Sequence, residues 1–158
     1  MATSNLSAYS GKGLADVSGK KIGIAVSEWN REITESLFTG AFETLIKLGV
    51  KKENIVRINV PGSYELSFGA QKLAQKDDID AVICLGCVIQ GETRHFEFIC
   101  QSVSQGIKDV SLKYDKPVIF GVLTTDTQKQ ALDRAGGKYG NKGDEAAAAA
   151  VKLLSIIS

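Results

Sequence analysis

The chain has 158 residues and a formal net charge of +1, from 19 Lys+Arg against 18 Asp+Glu. Hydrophobic residues make up 44% and charged residues 23%, the make-up of about one folded domain rather than a disordered chain. The near-neutral balance argues against non-specific binding to nucleic acid, and no apolar run reaches the ~18 residues of a membrane span.

Residues 22–26, Ile-Gly-Ile-Ala-Val, read as a strand buried on both faces. Ile33, Leu37, Ala41, Leu45 and Leu48 then recur at helical spacing, and Gly49 supplies a stop. Residues 55–60 predict a second strand, closed by Pro61-Gly62, with Ser63 as cap of a helix through Leu66, Ala70 and Leu73. A third buried strand spans residues 81–85. The stripe Phe96, Ile99, Val103, Ile107 and Val110 marks a long helix, and residues 117–122 form a fourth strand. A short helix over residues 127–135 ends at Gly136-Gly137. After the loop at 138–143, a last helix runs through the alanines at 146–150 to Leu154.

Strands alternating with helices imply right-handed crossovers and a parallel sheet covered on both faces. The expected fold class is α/β: a three-layer α/β/α sandwich, flavodoxin-like, with a four-stranded parallel sheet. Residues 1–15 are expected to be an N-terminal arm and residues 16–158 one domain. Ligands in such sheets bind outside the C-terminal strand ends, here residues 27–30, 61–65, 86–95 and 123–127.

Residues 1–10 are small and polar, so no signal peptide is expected there. Cys84, Cys87 and Cys100 are too few for a disulfide framework, and a reducing cytoplasm is the expected compartment. The odd spacing of Cys84 and Cys87 on an extended segment points them to opposite faces, against a metal or redox pair.

His95, the only histidine, opens the long helix at a strand's C-terminal edge, where proton transfer is a reasonable role. Gly91 permits close backbone approach and Thr93 can cap, so an anion could meet the helix N-terminus there. Trp29, the only tryptophan, is either core or a stacking platform for a planar ring. Glu65 can accept hydrogen bonds from ligand hydroxyls or favour its helix start. Arg134, Lys138 and Lys142 surround a glycine-rich loop; they are solvated charges or phosphate partners, Arg134 having the better bidentate geometry.

Four blocks carry a resemblance: Val60-Pro61-Gly62-Ser63-Tyr64-Glu65-Leu66; Gly86 to Glu97 with its Gly91-Glu92-Thr93-Arg94-His95-Phe96-Glu97 end; Pro117-Val118-Ile119-Phe120-Gly121-Val122-Leu123-Thr124; and Asp133-Arg134-Ala135-Gly136 followed by Gly140-Asn141-Lys142-Gly143. In order and spacing, from about Tyr9 onward, the chain resembles the lumazine synthase family of riboflavin biosynthesis. The resemblance implies condensation of 5-amino-6-ribitylamino-uracil with 3,4-dihydroxy-2-butanone 4-phosphate, with no metal or organic cofactor. By matched position it implies that Trp29 stacks on the pyrimidine beside Asn30, and that Ser63 and Glu65 meet the ribityl chain. Val88 and Ile89 would hold the heterocycle edge through their backbone. Gly91, Glu92 and Thr93 would form the phosphate turn, and His95 would transfer protons.

Phe120, Arg134 and Lys142 would come from an adjacent subunit, Arg134 bonding the phosphate. The resemblance further implies an N-terminal strand added to a neighbour's sheet and a homo-pentamer. The short stretch between Arg134 and Gly143 favours an icosahedral shell of 60 subunits, with riboflavin synthase as a possible enclosed partner. Ser67 departs from a common family proline, Gln90 from a common Lys or Arg, and Glu92 from a small residue. The last two make the phosphate end less positive.

Overall fold

The structure is a computed structural model and describes residues 5–9 and 11–157. Its centre is a four-stranded parallel sheet in the order β2-β1-β3-β4, built from Ile22–Ser27 (β1), Ile55–Val60 (β2), Ala81–Ile89 (β3) and Val118–Thr125 (β4). β1 and β3 are central, and both read as nearly continuous apolar runs because helices cover each face. Ala25 pairs with Ile58 on one side and Cys84 on the other, while Cys84 pairs onward with Phe120. These pairings set the four C-terminal strand ends along one side of the sheet.

Alternation across the pleat divides the core in two. Ile22, Ile24, Val26, Ile83 and Leu85 face α1 (Arg31–Lys47) and α5 (Lys142–Ile156). Ala25, Val82, Cys84 and Val122 face α2 (Leu66–Ala74) and α3 (His95–Tyr114). Cys84 and Cys87 thus lie in opposite layers, as their odd spacing predicts. Burial pushes both thiols up to about 12, so they stay protonated and unreactive. On the α1 side, the alanines of α5 let its backbone lie close to α1 and the sheet, and Ala146, Ala147 and Ala150 are fully buried.

Three local expectations change. Ser63 does not cap a helix: residues Ser63–Glu65 form a 3₁₀ turn before α2, and the Gly62 N–H donates to the Glu65 carboxylate at 2.9 Å. A carboxylate two residues beyond the serine reaches that amide, so the sequence signal for a serine cap was misleading. β3 continues to Ile89, four residues past the expected end, because β4 keeps pairing with it as far as Thr125. The short helix closes at Leu132 (α4, Gln128–Leu132), and Ala135 instead enters a two-stranded hairpin, β5 (Ala135–Gly137) with β6 (Gly140–Asn141). Glycines at 136, 137 and 140 permit that hairpin, where the sequence showed only a loop. Among the described residues of the arm no strand forms, and residues 1–4 and 10 lie outside the description.

Candidate functional site

A cavity of about 580 Å³ opens at the C-terminal ends of β1, β2 and β3. Its volume falls in the range of small-molecule sites, and its position follows from the crevice rule for parallel sheets. Trp29, Asn30, Ser63, Glu65, Val88, Ile89 and His95 all line it, joined by Gly62, Tyr64, Cys87 and Ile99.

Each wall has a local cause. Asn30 adopts the left-handed conformation (φ 59°) at the start of α1, a backbone state asparagine tolerates better than most residues. Its side-chain amide donates to the Cys87 carbonyl at 2.9 Å, tying the end of β1 to β3. The Trp29 N–H donates to Pro61 O at 3.1 Å, fixing the same turn to the end of β2. The indole itself is 73% exposed. An exposed tryptophan on a doubly anchored turn is not core packing; it is an apolar shelf at the cavity mouth.

The floor lies under β3. Gly86 has no side chain because a Cβ there would sit 2.6 Å from Ser63 Oγ and 2.8 Å from Leu66 Cδ1. This allows the β2–α2 turn to pack on the strand and brings Glu65 into the cavity wall. Ser63 Oγ is buried and has no hydrogen-bond partner, so a ligand hydroxyl could satisfy it at little cost. Glu65 already accepts one bond from Gly62, and a carboxylate has room for more. The Cys87 thiol, raised by burial, contributes shape rather than nucleophilicity.

On the far wall His95 is the first residue of α3 and is exposed, with Ile99 one turn along. Gly91, Glu92 and Thr93 precede it in an exposed turn beside the cavity and are not part of its wall. Thr93 caps only weakly: its hydroxyl lies 3.4 Å from the His95 amide, and no side chain caps α3 at Arg94. Gln90 stabilises this turn, its amide donating to Gly91 O at 2.8 Å and more distantly to Thr93 O. The sequence marked Gln90 only as a lost positive charge and missed this internal staple.

Three site residues stand apart. Phe120 is half-buried on the edge strand β4, packed toward the α2–α3 layer. Arg134 donates to Gln130 O at 3.0 Å, and its guanidinium lies 4.8 Å from the Tyr139 ring centre. Lys142 pairs with Glu145 at 2.6 Å at the start of α5. None of the three reaches the cavity of its own chain. Tyr64, Gly62, Cys87 and Ile99 were not assigned to the site; Gly62 and Tyr64 flank Ser63 and Cys87 precedes Val88, whereas Ile99 showed only as part of the helical stripe of α3.

Among the described residues no group of three or more His, Cys, Asp or Glu side chains could hold a metal ion, and no helix is long and apolar enough to cross a membrane. The cavity therefore offers an aromatic shelf, hydroxyl and carboxylate acceptors, strand-end backbone and one imidazole.

Comparison with known proteins gives these features a family. A family model described as 6,7-dimethyl-8-ribityllumazine synthase matches residues 19–158. A protein of that name from Cytophaga hutchinsonii is 64% identical over 154 residues, covering 98% of this chain and 96% of the relative. Others of the same name, from Parabacteroides distasonis and Flavobacterium johnsoniae, are 57% and 53% identical, covering 98% and 99% of this chain and 98% and 83% of the relatives. With a match running from before β1 through α5, the chain belongs to the 6,7-dimethyl-8-ribityllumazine synthase family.

Proposed function

We propose that the protein condenses 5-amino-6-ribitylamino-uracil with 3,4-dihydroxy-2-butanone 4-phosphate, releasing 6,7-dimethyl-8-ribityllumazine, phosphate and water. Besides family membership, the observation that carries this reading is one cavity containing an exposed indole, an orphaned hydroxyl and an imidazole. The pyrimidine stacks on Trp29, the ribityl hydroxyls pair with Ser63 and Glu65, and the strand-end backbone at Val88 and Ile89 holds the ring edge. Asn30 supports the shelf through its bond to Cys87.

The chemistry asks for orientation and proton movement rather than a strong nucleophile. The substrate amine attacks the ketone and loses water to give an imine. Elimination of phosphate leaves an enol that becomes a second carbonyl, and the ribitylamino nitrogen attacks that carbonyl and loses a second water to close the ring. Holding two substrates together lowers the barrier by up to ~7–11 kcal/mol, the upper range for well-oriented pairs. His95 moves protons at the reacting nitrogen and oxygen atoms, a contribution of about 10²–10⁴-fold. The turn Gly91, Glu92 and Thr93 places the open amides of α3 toward the phosphate, and a guanidinium balances its charge as it departs.

That guanidinium belongs to a neighbour. Phe120, Arg134 and Lys142 lie away from their own cavity, which supports a site completed by a second subunit, Arg134 meeting the phosphate. Exposed Tyr64, Phe68, Phe98 and Leu112 on the α2–α3 side support assembly through that face. We assign a homo-pentamer, an icosahedral 60-mer as its closed form, and a cytoplasmic setting with riboflavin synthase as a partner. Mixing purified protein with both substrates is expected to give lumazine absorbance and stoichiometric phosphate; absence of both products would overturn the reading.

A further inference from the structure

The β5–β6 hairpin is held from two sides. From within the domain, the Tyr139 N–H donates to Asp133 O at 2.7 Å, and the Lys142 N–H donates to Arg134 O at 2.8 Å. The Tyr139 ring supports the Arg134 guanidinium from a centroid distance of 4.8 Å. Arg134 spends one donor on Gln130 O, and a guanidinium carries five.

From the other side comes the N-terminal segment. The Leu6 N–H donates to Tyr139 O at 2.7 Å, and the Asn141 N–H donates to Ser7 Oγ at 2.9 Å. Ser7 is itself fixed by its N–H donating to Asn5 Oδ1 at 3.0 Å, a local turn that aims the hydroxyl. Gly140, at φ +83°, sits under this contact. A Cβ there would strike Asn5 Oδ1 and lie 2.8 Å from Ser7 Oγ. Both backbone groups of Tyr139 are thus engaged, one by Asp133 and one by Leu6.

We propose that Asn5–Ser7 is a positioning element for Arg134, clamping the hairpin whose Tyr139 ring carries the guanidinium. The inference rests on the reading of Arg134 as the group that meets the substrate phosphate. Without the clamp, the Tyr139 backbone keeps its bond to Asp133 alone, the aromatic support wanders, and the guanidinium loses its preset orientation. Pre-orientation affects capture of a phosphate monoester and leaves proton transfer at His95 untouched.

The test uses the full-length assembled protein with Ser7→Ala and Leu6→Pro, which remove a hydroxyl acceptor and an amide donor, and with Ser7→Thr, which keeps the hydroxyl. The expected result is a rise of about 3- to 10-fold in KM for the phosphate-bearing substrate, the loss of one hydrogen bond's worth of affinity. Inhibition by inorganic phosphate weakens by the same factor. In the same variants kcat and the KM for the pyrimidine substrate stay at wild-type values, particle mass by light scattering is unchanged, and Ser7→Thr restores phosphate affinity. Equal changes in all kinetic constants, or a changed particle mass, would assign the segment a general structural role and overturn the proposal. Arg134→Ala separates the two levels. If it weakens phosphate while Ser7→Ala and Leu6→Pro do not, the clamp fails alone; if it leaves phosphate unaffected, the reading of Arg134 fails with it.

Discussion

The two faces of the sheet differ in how completely this chain covers them. On the α1–α5 side, Leu37, Ala41 and Leu45 of α1 meet Ala147, Ala150 and Leu154 of α5, all at 1% exposure or less. On the α2–α3 side the inner stripe is equally buried, through Leu66, Leu73, Val103 and Ile107. Its outer surface, however, shows Phe68 at 62%, Phe98 at 64% and Leu112 at 73% exposure. Water contact at several large apolar groups is unfavourable by roughly 1.5–3 kcal/mol for each side chain that could be fully buried. On the first face the exposed apolar groups, Ile46, Leu153 and Ile156, gather at the C-terminal ends of α1 and α5, whereas on the second they are spread along α2 and α3, and the cavity opens at its edge.

His95 stands where that second face meets the cavity, and its removal should have the largest effect. His95→Ala should lower kcat by about 10²–10⁴-fold with little change in either KM, measured by lumazine formation at saturating substrates. A variant with wild-type turnover would detach the cavity from the reaction. The face contrast itself is tested by a pair of truncations. Leu37→Ala should reduce unfolding free energy by about 2–5 kcal/mol in urea, since it empties a sealed layer. Phe98→Ala should leave the secondary structure intact but lower particle mass in light scattering, because it truncates an exposed anchor. If Phe98→Ala lowers unfolding free energy as much as Leu37→Ala and leaves particle mass unchanged, the two faces have been assigned the wrong way round.

The smallest effect lies at the edge of the α1 side. Arg57 holds Glu35 through two hydrogen bonds, one at 2.9 Å, and also covers the Phe38 ring. Its hydrogen bonding, reinforced by charge, keeps the Glu35 carboxyl below its ordinary value of 4.5. The folded state therefore favours the ionised form. That stabilisation is present above pH ~4.5, the unfolded carboxyl's range, and disappears as pH falls through the depressed folded value. With the pair partly exposed, Glu35→Gln should cost about 0–1 kcal/mol at pH 7. The difference from wild type should shrink in acid, as read from urea titrations at pH 7 and pH 3. A difference independent of pH would mean the pair acts through packing alone.

Much of the site was legible because its chemistry is concentrated in rare residues. A single tryptophan and a single histidine, each just beyond an apolar strand, fall at strand ends once the βα alternation is recognised. The hairpin was not legible. Residues 135–141 pair only because the chain turns back on itself after α4, and three glycines give no apolar periodicity to read. The true function of Glu65 at the turn was also hidden, since its bond to the Gly62 amide depends on a 3₁₀ geometry that no spacing rule distinguishes from a serine cap.

Periodicity and residue type determined the sheet, its two covering layers and the side on which ligands gather, because burial of apolar stripes is a local and additive demand. Tertiary structure alone decided which polar atoms remain unpaired, which indole stays in water, and which cations lie outside their own cavity. Those outcomes depend on distances between strand ends, and a one-dimensional pattern contains no distances across the sheet.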